Sequence, residues 1–190
     1  MNDKIKIKNA LISVFNKEGL DHIIKKLSEY NIKIYSTGGT ENFIKGLGVE
    51  VNKIEDLTTY PSILGGRVKT LHPNVFGGIL ARRGNSDDHR QLVNYNIPEF
   101  DLVIVDLYPF EDTVKNNNNH SEIIEKIDIG GISLIRAGAK NYKDVMVVSQ
   151  KNQYQDLLNI LEKQEAFTDL DTRKKYAVDA FNLSSDYDTH

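Results

Sequence analysis

The segment DLVIVDLY at 101–108 constrains the fold of this chain more than any other. A strand with one wet face alternates apolar and polar residues. A run that is apolar at every step needs cover on both faces, as in a parallel sheet between two helical layers. NALISVF (9–15), IKIYST (32–37) and DVMVVS (144–149) have the same character, and VEVNKI (49–54) alternates like a more exposed strand. Helical patterns fall between them. Leu20, Ile23, Ile24 and Leu27 repeat at i, i+3, i+4 and i+7, with Asn16 placed to cap them. Thr40, after the Gly38-Gly39 break, can open a second helix, and Tyr154, Leu157, Leu158 and Leu161 mark another. The tail is helical from Asp169 through about Leu183, with Tyr176, Ala177, Ala180 and Phe181 on one face. The expected fold is α/β, a mainly parallel central sheet of about five strands with helices on both faces. Residues 56–100 carry too many glycines to assign, and NNNN (116–119) reads as a loop ahead of the remaining chain. DLVIVDLY ends at Pro109. There is no internal repeat and no linker, so 1–190 is expected to be one domain.

Composition narrows the chemistry. The chain has 39% hydrophobic and 27% charged residues, the balance of a folded protein. A net charge of -3 gives no long-range pull toward nucleic acid or an anionic membrane. With no cysteine there are no disulfides, thiolate nucleophiles or cysteine-based metal sites. The histidines at 22, 72, 89, 120 and 190 lack ligand spacing, so no metal is expected. The start MNDKIKIKN has no secretory apolar core, and no apolar run approaches a membrane span. The expected setting is the cytoplasm.

Open parallel sheets bind ligands outside the carboxyl ends of their strands. Here those ends carry Phe15–Lys17, Ser36–Thr40, Asp106–Tyr108 and Ser149. STGGT (36–40) suits an anion, since glycines let backbone N–H groups approach and a helix N-terminus favours negative charge; a plain tight turn explains it equally well. Lys17 lies at the same edge; the alternative, a solvated lysine in a first helical turn, is slightly disfavoured because a cation there opposes the helix dipole unless an anion is bound. GGRVKTLHP (65–73) is the most unusual segment, with Arg67, Lys69, Thr70 and His72 within six residues after two glycines. That density of donors suits a phosphorylated, polar ligand. Alternation puts Asp106 and Tyr108 on one face. In IDIGGISLIRAGAKN (127–141), Asp128 is either an N-cap or a carboxylate that handles a proton beside exposed N–H groups. Lys140 fits a favourable charge at that helix's other end. Asp87-Asp88 and Glu111-Asp112 read as helix-start acids.

GGRVKTLHP, DLYPF (106–110), IDIGG (127–131) and RAGAKN (136–141), joined by SVFNKEGL (13–20) and STGGT, occur in this order and spacing. Together they resemble the N-terminal domain of the AICAR transformylase/IMP cyclohydrolase family, over essentially the whole chain. The resemblance implies a methylglyoxal-synthase-like fold and closure of formamidoimidazole carboxamide ribotide (FAICAR) to IMP with loss of water. It implies no cofactor and no metal; formyl-tetrahydrofolate would serve a following domain, which is not expected in these 190 residues. It makes Lys69, Tyr108, Asp128 and Lys140 the catalytic group. Lys140 would exchange a proton, Asp128 would handle the amide proton, Lys69 and Tyr108 would polarise the formyl group, and N–H groups after Asp128 would hold the oxyanion. The nucleotide contacts it implies are Phe15, Asn16 and Lys17; Ser36, Thr37, Gly38, Gly39 and Thr40; Arg67, Val68 and Thr70; Val105 and Asp106; and Ile129 and Gly130. FAICAR and IMP would be the partners of a homodimer, with no nucleic acid or membrane.

Two positions depart from the family pattern. Phe15 stands where serine is common, which removes a hydroxyl, and Asp106 stands where asparagine is common, which removes a donor. A methylglyoxal-synthase-type lyase and a regulatory module that only binds a phosphorylated metabolite are rivals within the fold class. GGRVKTLHP and IDIGG argue against both. The last helix is expected to leave a face with Tyr176, Ala180 and Phe181 short of cover.

Overall fold

The computed structural model describes residues 3–108, 110–116 and 119–189, without the side chains of 111–113. The expectations for Pro109, for the Glu111-Asp112 side chains and for Asn117-Asn118 lie outside the described residues. The central sheet is five-stranded and wholly parallel, in the order β4-β3-β2-β5-β6. Its strands are β2 (Asn9–Ser13), β3 (Lys33–Ser36), β4 (Asn52–Lys53), β5 (Leu102–Val105) and β6 (Met146–Val148). A separate two-stranded antiparallel sheet pairs β1 (Ile5–Lys6) with β7 (Phe167–Thr168).

The unbroken apolar runs divide between two cores. Ala10, Ile12, Leu102, Ile104, Met146 and Val148 face one way and meet α1 (Leu20–Glu29), α2 (Gly38–Gly46) and α9 (Tyr154–Lys163). Leu11, Val103, Val105 and Val147 face the other way. There they meet α3 (Ile54–Thr58), α4 (Pro73–Leu80), α8 (Gly130–Lys140) and α10 (Leu170–Asp188). Each residue of β5 and β6 is therefore buried on whichever side it points, which is the condition the sequence pattern implied. The more peripheral α5 (Ser86–Asn94), α6 (Phe110–Asn116) and α7 (His120–Glu125) complete the helices.

Several local expectations change. Asn16 does not cap α1: its side chain accepts from the Glu18 N–H, and Gly19 (φ 78°) opens the helix. Helix α2 starts at Gly38 rather than Thr40. The 49–54 strand shrinks to β4, because Ile54 is drawn into α3 to fill the second core. His72 caps α4, its imidazole accepting from the Asn74 N–H at 3.1 Å. On α10, Tyr176 and Ala180 are buried rather than bare, because α10 packs on α8 and β6; of the three, only Phe181 stays exposed, at 39%, with Arg136 over its ring. Among the described residues no helix is long and apolar enough to cross a membrane.

Helix α4 lies close against the chain entering β5. A Cβ on Gly78 would collide with the Pro98 carbonyl and come within 2.8 Å of the Phe100 ring. Gly78→Ala is expected to lower stability by about 1–3 kcal/mol, the usual range for overpacking. A lower urea midpoint at unchanged slope would confirm it, and an unchanged midpoint would refute the close packing.

Candidate active site

The strand order reverses direction between β2 and β5: the chain first builds outward through β3 and β4, then returns to add β5 and β6 on the other side. Ligands bind at such a switch point, outside the carboxyl ends of the strands. A cavity of about 580 Å³ opens there. Its walls are Ser13–Phe15 and Lys17 after β2, Val105, Asp106 and Tyr108 after β5, and Thr37, Gly39 and Thr40 at the start of α2. Gly65–Arg67, Lys69 and Thr70 come from the turn ahead of α4. Ile124 and Glu125 of α7, Ile127–Gly131 and Leu134 close the remaining side.

On the α2 side the hydroxyls are already engaged. Ser36 donates to the Ile12 carbonyl, Thr40 to the Val14 carbonyl, and Thr37 to the Glu55 carboxylate at 2.6 Å. They fasten β2, β3 and α3 together, and so are not the donors an anion would meet. Two ammonium groups take that place. A Cβ on Gly38 would lie 3.6 Å from Lys69 Nζ, and one on Gly39 would lie 3.8 Å from Lys17 Nζ. Lys17 also donates to the Val14 and Phe15 carbonyls, at 2.9 and 2.8 Å, which aims it back into the cavity. Two cations converge on the backbone at a helix N-terminus, an arrangement that favours a doubly charged anion.

Two half-buried carboxylates line the same cavity. Asp106 accepts the Asn16 N–H at 2.9 Å and the Phe15 N–H as well, so the acidic residue pins the loop after β2 with its acceptors and needs no donor. Burial pushes the Asp106 carboxyl up, against those two N–H bonds and nearby Lys17. Burial also pushes up the Asp128 carboxyl; the Gly131 N–H and Lys69 pull it down, and Asp106 raises it further. Asp128 accepts the Gly131 N–H at 2.6 Å and thereby ties down the first turn of α8. Gly131 is required there, since a Cβ would lie 2.6 Å from the same carboxylate.

Tyr108 is held by its neighbours rather than by a core. Its ring lies 4.8 Å from that of Phe15, and the Lys126 ammonium sits 5.2 Å from its centroid. Phe15 thus supplies a wall for Tyr108 where a serine would supply a hydroxyl. Arg67 at the mouth forms a two-pronged ion pair with Glu125.

Most of the sequence-predicted residues meet in this cavity, and five do not line it. Ser36 is fully buried with its hydroxyl turned to β2. Asn16 contributes a backbone N–H to Asp106. Val68 is half-buried and paired with Ile63. Gly38 lies behind Lys69. Lys140 is exposed at the carboxyl end of α8, ten helical steps or about 15 Å from the Gly130 end that lines the cavity. Glu125, Ile124, Ile127 and Leu134 were missed, and a polar-motif search has no means of finding them. Among the described residues, no group of three or more histidines, aspartates or glutamates could hold a metal ion.

Comparison with known proteins agrees with this fold. The model of the MGS-like domain matches residues 19–133, more than half the chain, and that of the AICARFT/IMPCHase bienzyme matches 138–190. The "Bifunctional purine biosynthesis protein PurH" of Bacteroides thetaiotaomicron is 57% identical over 189 residues, covering 100% of this chain and 37% of that protein. The protein of the same description from Clostridium acetobutylicum is 46% identical over 96% of this chain and 36% of its own length. The chain therefore spans little more than a third of these curated relatives. The crystal structure of ForH superimposes with a TM-score of 0.83 at 33% identity, over 96% of both chains.

Proposed function

The chain belongs to the MGS-like domain family, and we propose that within it the protein is an IMP cyclohydrolase. The observation that carries this reading is the cavity at the switch point, where two lysines face the Gly38-Gly39 backbone and Asp128 and Tyr108 line the same walls. The relatives named for purine biosynthesis support it. The 5′-phosphate of FAICAR binds Lys17 and the backbone at the start of α2, while Lys69, beside Asp128, serves the reacting end. The carboxamide nitrogen attacks the formyl carbon, and Asp128 takes the proton that the nitrogen releases. The charge that develops on the former formyl oxygen is met by Lys69 and Tyr108. Asp128 returns its proton to that oxygen, the formamide nitrogen gives up the second, the oxygen leaves as water, and the C=N bond of IMP forms. The Gly131 N–H orients Asp128 and is not assigned to the oxyanion, and Lys140 is left out of the group. A single domain over 1–190, a homodimer, a cytoplasmic setting, and the absence of any cofactor, metal or nucleic-acid partner belong to the same proposal.

FAICAR supplied to the purified chain should give IMP, followed by ultraviolet absorbance at a rate proportional to protein. Saturable FAICAR binding without turnover would favour the regulatory module. Release of phosphate from a triose phosphate would favour the lyase. The phosphate assignment has its own test. IMP should bind at least about tenfold more tightly than inosine at low ionic strength, and the margin should shrink as salt screens Lys17. Equal affinities would remove Lys17 from that role.

A further inference from the structure

One contact ties the carboxyl-terminal turn of α10 to this cavity, and neither motif nor spacing suggested it. The Tyr187 hydroxyl accepts the Asp128 backbone N–H at 2.8 Å and reaches the Lys126 carbonyl at 3.3 Å. A single hydroxyl thus bridges both sides of the turn that delivers Asp128. The Tyr187 ring is itself steadied by Phe110, with centroids 5.9 Å apart. Within the bridged turn, the Lys126 side chain lies over the Tyr108 ring, which rests on Phe15. Two groups of the proposed chemistry therefore depend on the same clamp: Asp128 through its own amide, and Tyr108 through Lys126.

We propose that Tyr187 is a positioning residue for the ring closure, holding the Lys126–Asp128 turn so that the Asp128 carboxylate and the Tyr108 ring keep their places in the cavity. The role rests on the cyclohydrolase reading. Its physical basis is independent of that reading: an N–H and a carbonyl on opposite sides of a turn, joined through one hydroxyl, are held at a fixed separation while both bonds last.

Tyr187→Phe keeps the ring against Phe110 and deletes only the hydroxyl. Amide exchange at Asp128 should become at least about tenfold faster, while the amides of β2 and β5 keep their protection. In turnover, kcat should fall about tenfold with KM for FAICAR changed by less than about twofold, since a misplaced base is felt in the transition state. The acid limb of the kcat–pH profile should move to lower pH, because a loosened turn lets water back to the buried carboxylate. Wild-type exchange at Asp128, or wild-type kcat and acid limb, would overturn the proposal. Phe110→Leu disturbs the ring contact without touching the hydroxyl, so its effects on Asp128 exchange and kcat should be clearly smaller than those of Tyr187→Phe. Losses equal to those of Tyr187→Phe would show that packing, not the hydroxyl bridge, is responsible. A wild-type chain that makes no IMP would sink the cyclohydrolase reading and not the clamp, which the exchange rate decides alone.

Discussion

Asp128→Asn is expected to lower kcat for IMP formation by about 10²-fold or more, the usual contribution of a positioned acid or base, while the fold stays intact and stability at neutral pH is unchanged or raised. The amide retains an oxygen that can accept the Gly131 N–H, so the start of α8 keeps its tie. What it loses is the ability to take a proton. The sign of the stability change follows from burial, which raises the folded-state carboxyl above its ordinary value. Between the two values the folded chain holds the proton more tightly than the unfolded chain does. Stability contributed by this group is therefore full below the ordinary carboxyl range, falls as pH rises through the raised value, and stays reduced above it. A neutral side chain escapes that cost. In the wild type the same shift places the acid limb of kcat above the ordinary carboxylate range. Urea unfolding at neutral pH and a kcat–pH profile measure the two halves. Turnover near that of the wild type would remove Asp128 from the mechanism.

Arg173→Met should produce the largest loss of stability, about 3 kcal/mol or more, through several buried acceptors left unpaired at once. Arg173 is 1% exposed and lies in the first turn of α10. Its guanidinium donates to the Thr168 carbonyl at 2.6 Å, to the Lys143 carbonyl at 2.9 Å, and to the Tyr142 and Asp3 carbonyls and the Thr168 hydroxyl at 3.0 Å. One side chain thus joins the chain start, the turn ahead of β6, β7 and α10. Burial pulls its pKa down, with Asp144 and Asp169 opposing, yet a guanidinium stays charged at any pH where the protein folds. Methionine fills much of the volume and satisfies none of the carbonyls. Lysine should rescue little, since a point charge cannot reproduce the planar fork. The measurement is a urea titration of both variants. A midpoint within experimental error of the wild type would refute this account. Because Arg173 is grouped with the chain start and the turn after Lys140, at the opposite end of α8 from the cavity, whatever protein remains folded should turn over normally.

The sequence by itself determined the layers and the edge at which to look. Leu102–Val105 is apolar at every step, and such a strand has only one stable setting, between two covered faces. The paired glycines at 38–39 and 130–131 sit where the backbone comes close to an ammonium group, a hydroxyl or a carboxylate, and that need is local enough to leave a motif. Even the distance of Lys140 from this cavity was legible in principle, because helical rise alone separates it from Asp128. Other features were decided only in three dimensions. The order β4-β3-β2-β5-β6 put β2 beside β5 and so created the cavity; strand alternation is indifferent to which strands are neighbours. The hydroxyls of STGGT went to Ile12, Val14 and Glu55 because those groups lay within reach once the sheet had formed. Glu125 on Arg67 and Tyr187 on Asp128 join residues 58 and 59 positions apart. Periodicity and capping record forces that act within a turn or two of the chain. A partner that far along is chosen by how α7, α8 and α10 pack around the sheet, and it leaves no trace in the neighbouring residues.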